Sequence, residues 1–407
     1  MRDAVTDAFD HTRDLRILFA ARALRAFGDG FGIIVLPVYL TQIGLTPFWI
    51  GLIATAALLG SALTTLLIGV IGTRYDARRL LIAGAALMTI TGLALPNVDS
   101  VLLIALVAFL GTLNPSASDI GLLVPLEHAA IARNAADDQR TRAFSTYSLI
   151  GALGAAAGAL AAGVPDLLSR IGITDGLRLM FYGYAAIGLT AALLYASLPP
   201  TPVQQAQAAP LGPSRGIVTK LALLFSLDSF AGGFVVQSLL ALWLFQRFDL
   251  SLSAASLFFF WSSLFTAFSY PVAAWLARRI GLVNTMVFTH IPASLCLMLA
   301  AVAPDLTTVL TLLLVRSALS NMDVPARTSY VMAVVTPAER TAASSFTAVP
   351  RTIASSISPA FAGAMLSLPF AGWPLVICGT LKITYDLALL WSFRHVKPPE
   401  EQRVTKP

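Results

Sequence analysis

Charged side chains are scarce in this chain, and those that interrupt its apolar runs are the ones able to do chemistry. Arg22, Arg25 and Asp29 follow one another at spacings of three and four, which puts them on one face of a helix. Asp29 lies near the middle of its apolar run between Gly28 and Gly30, and Asp228 has a similar setting later in the chain. A carboxylate held partly out of water can take up and release a proton near neutral pH, so Asp29 and Asp228 are candidates for proton coupling. Arg316, Ser320, Asp323 and Arg327 fall on a helical stripe about 60° wide. Ser116, Asp119, Leu123 and Glu127 mark a matching polar face. A charge at the centre of a membrane helix costs roughly 2.5–3.5 kcal/mol, which makes each of these residues a functional candidate. Guanidinium groups complement carboxylate and phosphate, so Arg316 and Arg327 suit an anionic solute. Structural readings compete: Arg25 neutralising Asp29 one turn away, Asp323 pairing with Arg327, and Lys382 pairing with Asp386. Arg351 stands a few residues inside its run, where it can also snorkel to the interface.

Other chemistries lack their residues. Cys296 and Cys378 sit in apolar runs and read as packing residues. His128 adjoins Glu127 and points about 100° away from it, so the two make a poor metal pair. His290 stands alone in its run and reads as a hydrogen-bonding group of the bundle. No H-E-x-x-H, C-x-x-C, G-x-S-x-G or P-loop pattern occurs, and Gly28-Asp29-Gly30-Phe31-Gly32 follows no strand. No catalytic residue, metal site or cofactor is expected, and the chain does not read as an enzyme.

The elements that carry these residues follow from composition. Of 407 residues, 57% are hydrophobic and 12% charged, about half the charge of a soluble protein. Such a chain cannot cover a water-facing surface, which excludes a soluble enzyme, a nucleic-acid binder and a disordered scaffold. Helix-length apolar runs stand near 16–42, 47–72, 79–97, 100–133, 141–164, 176–197, 216–247, 252–277, 283–303, 306–335, 341–367 and 371–393. They predict an all-α integral membrane protein with twelve transmembrane helices. The stretch 198–215 is proline-rich and aperiodic, and reads as a linker between six-helix halves spanning 1–197 and 216–407.

Loops after odd-numbered spans hold Arg170, Arg178 and Arg247. Loops after even-numbered spans hold eleven basic residues, among them Arg74, Arg78, Arg79, Arg278, Arg279 and Arg340. The positive-inside rule then predicts cytoplasmic termini and linker in a plasma (inner) membrane. The first sixteen residues contain no apolar core of a cleaved signal, so the first span is expected to direct insertion.

The halves repeat. Residues 124–143 (VPLEHAAIARNAADDQRTRA) lie over 324–343 (VPARTSYVMAVVTPAERTAA) at a constant offset of 200, and Asp29-Gly30-Phe31-Gly32 over Asp228-Ser229-Phe230-Ala231 at 199. Glu127 and Arg327 thus hold equivalent positions with opposite charge, and are expected to pair when a cavity between the halves closes. Duplicated halves are a common transporter plan, with the site near the midplane.

Twelve spans, a duplicated half and a central cytoplasmic linker resemble the major facilitator superfamily. Its G-x-x-x-D-R-x-G-R-R loop is similar to Gly69-Val70-Ile71-Gly72-Thr73-Arg74-Tyr75-Asp76-Ala77-Arg78-Arg79, with Thr73 in place of the aspartate and Asp76 in place of the second glycine. A second copy, Ala274-Trp275-Leu276-Ala277-Arg278-Arg279-Ile280-Gly281, keeps the arginine and the late glycine. The resemblance implies a cytoplasmic gate at Arg74, Arg78 and Arg279. It also implies a central cavity lined by spans one, four, seven and ten, with Asp29, Asp228, Glu127, Asp119, Arg316, Asp323 and Arg327 facing it. Span five (Gly151, Gly154, Gly158, Gly163) is rich in small residues but lacks the proline of the family's drug/proton antiporters, and reads as a close-packing face. The implied function is secondary transport of a small organic solute by a monomer using alternating access, with proton-coupled efflux first. Uptake of an anionic metabolite is the alternative, and a membrane-embedded lipid-modifying enzyme the remote one.

Overall fold

Apolar runs too long for strands fold as helices in the computed structural model, which describes residues 2–71, 75–116, 121, 123–134, 140–200, 212–336 and 339–393. Arg74 and Asp119 lie outside the described residues. The helices are α1 (Arg2–Gln42), α2 (Pro47–Ile71), α3 (Ala77–Ala94), α4 (Val101–Leu110), α5 (Leu123–Asn134), α6 (Arg140–Ala161), α7 (Val164–Arg170) and α8 (Gly176–Ala196). They continue with α9 (Arg215–Gly233), α10 (Gln237–Phe248), α11 (Leu252–Ile280), α12 (Leu282–Val302), α13 (Leu306–Leu319), α14 (Asp323–Val334), α15 (Arg340–Leu366) and α16 (Trp373–Phe393). Among the described residues, ten helical segments are long and apolar enough to cross a membrane.

Twelve spans emerge when broken helices are joined, and the breaks are informative. Spans four, seven and ten are expected as continuous runs. Instead α4 ends at Gly111 before α5 begins, α9 gives way to α10 after Gly233, and α13 stops at Leu319 before α14 resumes at Asp323. Average hydropathy across a run is blind to such a local interruption. Pro325 is tolerated because it lies in the first turn of α14, where its missing N–H has no intrahelical acceptor to lose. Asp323 stands at that same N-terminus, where the helix dipole favours an anion.

Contacts concentrate in two compact units: Met1–Ala206 with Leu240–Phe260, and Gln207–Leu239 with Trp261–Pro407. In the first, α1 packs along α6, where a Cβ on Gly30 would strike the Ala155 carbonyl and one on Gly158 the Phe27 carbonyl. The core beside them holds Leu18, Ala21, Leu81, Leu126, Tyr147 and Tyr195. At one end Asp166 of α7 accepts from the Ser253 backbone amide and hydroxyl, both at 2.8 Å, and so caps α11. In the second unit α9 lies against α15 at Gly233 and Ser358, and α12 against α16 at Gly379 and Met298. Phe225, Met286, Tyr330, Tyr385 and Leu389 form its core. Large apolar side chains remain outside, such as Leu102 at 76% and Trp391 at 78% exposed, as a lipid-facing surface requires.

Candidate functional site

Each unit buries one charged cluster, and each is built on the first helix of its half. In the first, the Arg25 guanidinium reaches from α1 to Glu127 on α5, and its Nε donates to the Tyr195 hydroxyl at 3.0 Å. Glu127 is fully buried and also accepts from the Tyr147 and Tyr195 hydroxyls, each at 2.5 Å. Arg22 lies over the Tyr147 ring, 4.8 Å from its centroid. A buried carboxylate survives only when paired and hydrogen-bonded, and Glu127 has both. One turn on from Arg25, Asp29 is half-buried and accepts from the Tyr184 hydroxyl at 3.1 Å, with Thr112 a further 3.2 Å from that hydroxyl.

The second cluster centres on Asp228 of α9. Lys382 of α16 donates to its Oδ1 at 2.7 Å, and Arg327 of α14 to its Oδ2 at 3.2 Å. The same Arg327 nitrogen lies 3.1 Å from Asp323, the intrahelical pair that spacing allows. Lys382 is also 3.1 Å from His290 Nε2, while His290 Nδ1 is 3.0 Å from Asp386. An ammonium can only donate. His290 therefore accepts at Nε2 and carries its proton on Nδ1, given to Asp386. Tyr385 is fully buried beside this array, and its hydroxyl has no hydrogen-bond partner among the described residues.

Two pairs that spacing allows, Arg25 with Asp29 and Lys382 with Asp386, come out differently. Glu127 is held by Arg25, Tyr147 and Tyr195, and Arg327 by Asp228 and Asp323, so each finds its counter-charge within its own unit. The bonds of Arg25 go to Glu127 and Tyr195 rather than settling on Asp29. Lys382 bypasses Asp386, its neighbour one turn on, because Asp228 offers a buried carboxylate and His290 fills the space between. Lys382, His290 and Asp386, read from the sequence as structural groups, therefore join the cluster around Asp228. The available signal was Asp228 itself: a buried carboxylate with no cation within a turn of its own helix must draw one from elsewhere.

The remaining candidates are scattered. Arg316 is half-buried and has no hydrogen bond or ion pair among the described residues. At the loop between α2 and α3, Asp76 caps α3 by accepting from the Arg78 amide at 3.0 Å, and the Arg78 guanidinium donates to the Ala196 carbonyl at the end of α8. Arg279 stacks on Trp275 of its own helix at 4.7 Å. Among the described residues no group of three or more metal-ligating side chains occurs.

Comparison with known proteins agrees with this architecture. The family model described as Major Facilitator Superfamily matches residues 18–226 and again 221–407. An uncharacterized membrane protein of Saccharomyces cerevisiae is 25% identical over 94% of both chains. Among solved structures, a bacterial homolog of the human lysosomal transporter Spinster superimposes with a TM-score of 0.76 at 16% identity, covering 93% of this chain and 96% of the other. The xylose transporter XylE from E. coli gives 0.74 at 16% identity, covering 97% and 100%. Matching twice, once over each half, the family model accounts for the internal repeat as well as the helix count, and the chain belongs to the Major Facilitator Superfamily.

Proposed function

We propose that this solute transporter is proton-coupled, and that it exports a small organic compound by alternating access with Asp228 as the principal proton site. The observation that carries the reading is the double ion pair on Asp228, whose cations come from two other spans. A proton on this one carboxylate weakens both pairs at once. Arg327 then retains its ion pair with Asp323, while Lys382 retains only a hydrogen bond to His290. Spans seven, ten and twelve are thereby untied by a single binding event, which is the differential interaction that a coupled conformational change needs. Asp29, hydrogen-bonded to Tyr184, is the corresponding carboxylate of the first half.

Export in preference to uptake rests on the resemblance to the family's drug/proton antiporters, whose proline, absent from span five, has a counterpart at Pro359 in span eleven (341–367). The excess of basic residues in even-numbered loops supports cytoplasmic termini in a plasma membrane. A monomer suffices, because each buried cluster is complete within one chain.

The test is flux of candidate solutes into proteoliposomes under pH gradients of either sign. One sign is expected to drive accumulation and the other not; no effect of either removes proton coupling. Asp228→Asn is expected to lose gradient-driven accumulation by at least about tenfold while retaining solute–solute exchange, tenfold being roughly 1.4 kcal/mol. Accumulation equal to wild type would take Asp228 out of the mechanism.

A further inference from the structure

Arg351 is a half-buried cation of the second unit that stands outside the network around Asp228. It lies on α15, roughly 16 Å along the axis from the first residue of that helix, too deep for its head group to reach the interface easily. Its Nε donates to the Ser229 hydroxyl at 3.2 Å, and its guanidinium carbon is 6.0 Å from the Phe225 ring centroid. Anchored on that edge, the group turns its two terminal nitrogens toward no partner among the described residues. No described carboxylate lies within ion-pair distance of it.

The nearby acids are already engaged. Asp228 serves Lys382 and Arg327, Asp323 serves Arg327, and Asp386 serves His290. Arginine does not give up its proton in proteins, so this charge cannot be relieved by titration. Within a membrane domain an unmatched cation is expensive and is normally paired. A ligand supplies what the chain does not.

We propose that the open fork of Arg351 docks an anionic group of the transported solute: a carboxylate, phosphate or sulfonate. Two parallel N–H donors match two oxygens of such a group, a geometry that lysine cannot reproduce. Contact with Phe225 and the Ser229 bond hold the plane of the fork, so little ordering remains for the solute to bring about. Tyr385, whose ring centroid is 6.4 Å from that of Phe225, offers a second unfilled polar valence in the same cluster. Among the described residues Arg316 also has no ion pair, but no hydrogen bond or ring contact orients its fork. The proposal rests on the chain being a solute transporter and names a class of solute. It does not depend on proton coupling, because binding is measured at equilibrium with no gradient.

The experiment uses the full chain purified in a neutral detergent. Thermal stability and binding are followed with sulfate, phosphate and benzoate, against chloride at matched ionic strength and against benzamide as the uncharged counterpart of benzoate. At least one of the three anions is expected to stabilise the wild type where chloride and benzamide do not. Arg351→Gln is expected to weaken that anion by at least about tenfold, and Arg351→Lys to keep only part of the affinity. Without ligand, Arg351→Gln should be no less stable than wild type, since it removes an unmatched charge. Four results overturn the proposal: no stabilisation by any of the three anions beyond chloride and benzamide, unaltered anion binding in Arg351→Gln, a large loss of ligand-free stability in that variant, or Arg351-dependent stabilisation by added phosphatidylglycerol alone, which would assign the fork to lipid.

Discussion

Glu127 and Arg327 stand at equivalent places of the two repeats, carry opposite charges, and are each held by an opposite charge from the first helix of their own half. Arg25 holds Glu127, and Asp228 holds Arg327. One architectural pair has thus been kept with its polarity reversed. What differs is the surroundings: two tyrosines close off Glu127, while Asp228 shares its second oxygen with a lysine. The first pair is closed by hydroxyls and the second is shared with a further cation.

Sealing predicts a stability effect. Glu127→Gln leaves Arg25 buried without its counter-charge and should cost about 3–5 kcal/mol, as removal of one member of a buried pair does. The double variant Arg25→Gln with Glu127→Gln should recover a sizeable part of that loss. Denaturation of the four proteins in detergent measures it, and strict additivity would show that the two side chains are not coupled.

The bonding around His290 fixes its tautomer. Histidine 15N spectra of the protein in liposomes, assigned by difference with His290→Gln, should give a neutral ring protonated at Nδ1. Asp386→Asn should weaken that preference, because the acceptor of the Nδ1 proton is altered. A wild-type ring protonated at Nε2 would contradict donation by Lys382.

Glu339 lies outside the spans and caps the start of α9. It accepts from the Ser214 hydroxyl at 2.6 Å, the Thr336 hydroxyl at 2.7 Å and the Gly212 amide, and these bonds hold its pKa down at about 2. A carboxyl depressed in the folded state stabilises above its unfolded value, near 4.3, and loses that contribution as pH falls toward the folded one. The difference in melting temperature between wild type and Glu339→Gln should therefore be flat above about pH 5 and shrink between roughly pH 4.3 and 2. A difference independent of pH over that window would rule out the cap as an ionised one.

Close approach of α1 and α6 can be tested by adding a single methyl group. Gly158→Ala should destabilise by about 1–3 kcal/mol, since its Cβ meets the Phe27 carbonyl. Gly183→Ala, with open space around it in α8, should be neutral or slightly stabilising. Equal melting temperatures for the two variants would mean that the helices are not in backbone contact.

Much of this organisation can be read along the chain because it is periodic or repeated. Apolar runs give the spans, the offset of 200 aligns Glu127 with Arg327, and the small residues of span five mark a packing face that Gly154 and Gly158 occupy. An i,i+4 spacing also yields the Asp323–Arg327 contact. The same rule misleads at Lys382 and Asp386, where spacing permits a pair but a buried competitor wins. Asp228 and Lys382 are 154 residues apart, and Arg25 and Glu127 102 apart. No periodicity encodes such partnerships; they arise when tertiary packing brings different spans together. The open fork of Arg351 cannot be read along the chain for the converse reason, since only the full set of contacts shows which cations lack a carboxylate among the described residues.

In both halves the helix that carries the first buried charge is pressed closely against the fifth span of that half: at Gly30 and Gly158 in one, where each glycine faces a backbone carbonyl, and at Gly233 in the other, where the Ser355 carbonyl and the Ser358 hydroxyl stand. A joint this close leaves little room for compliance, so α9 with α15, like α1 with α6, is expected to move as one stiff lever. Rigidity in this protein thus rests on the residues with the least to offer chemically.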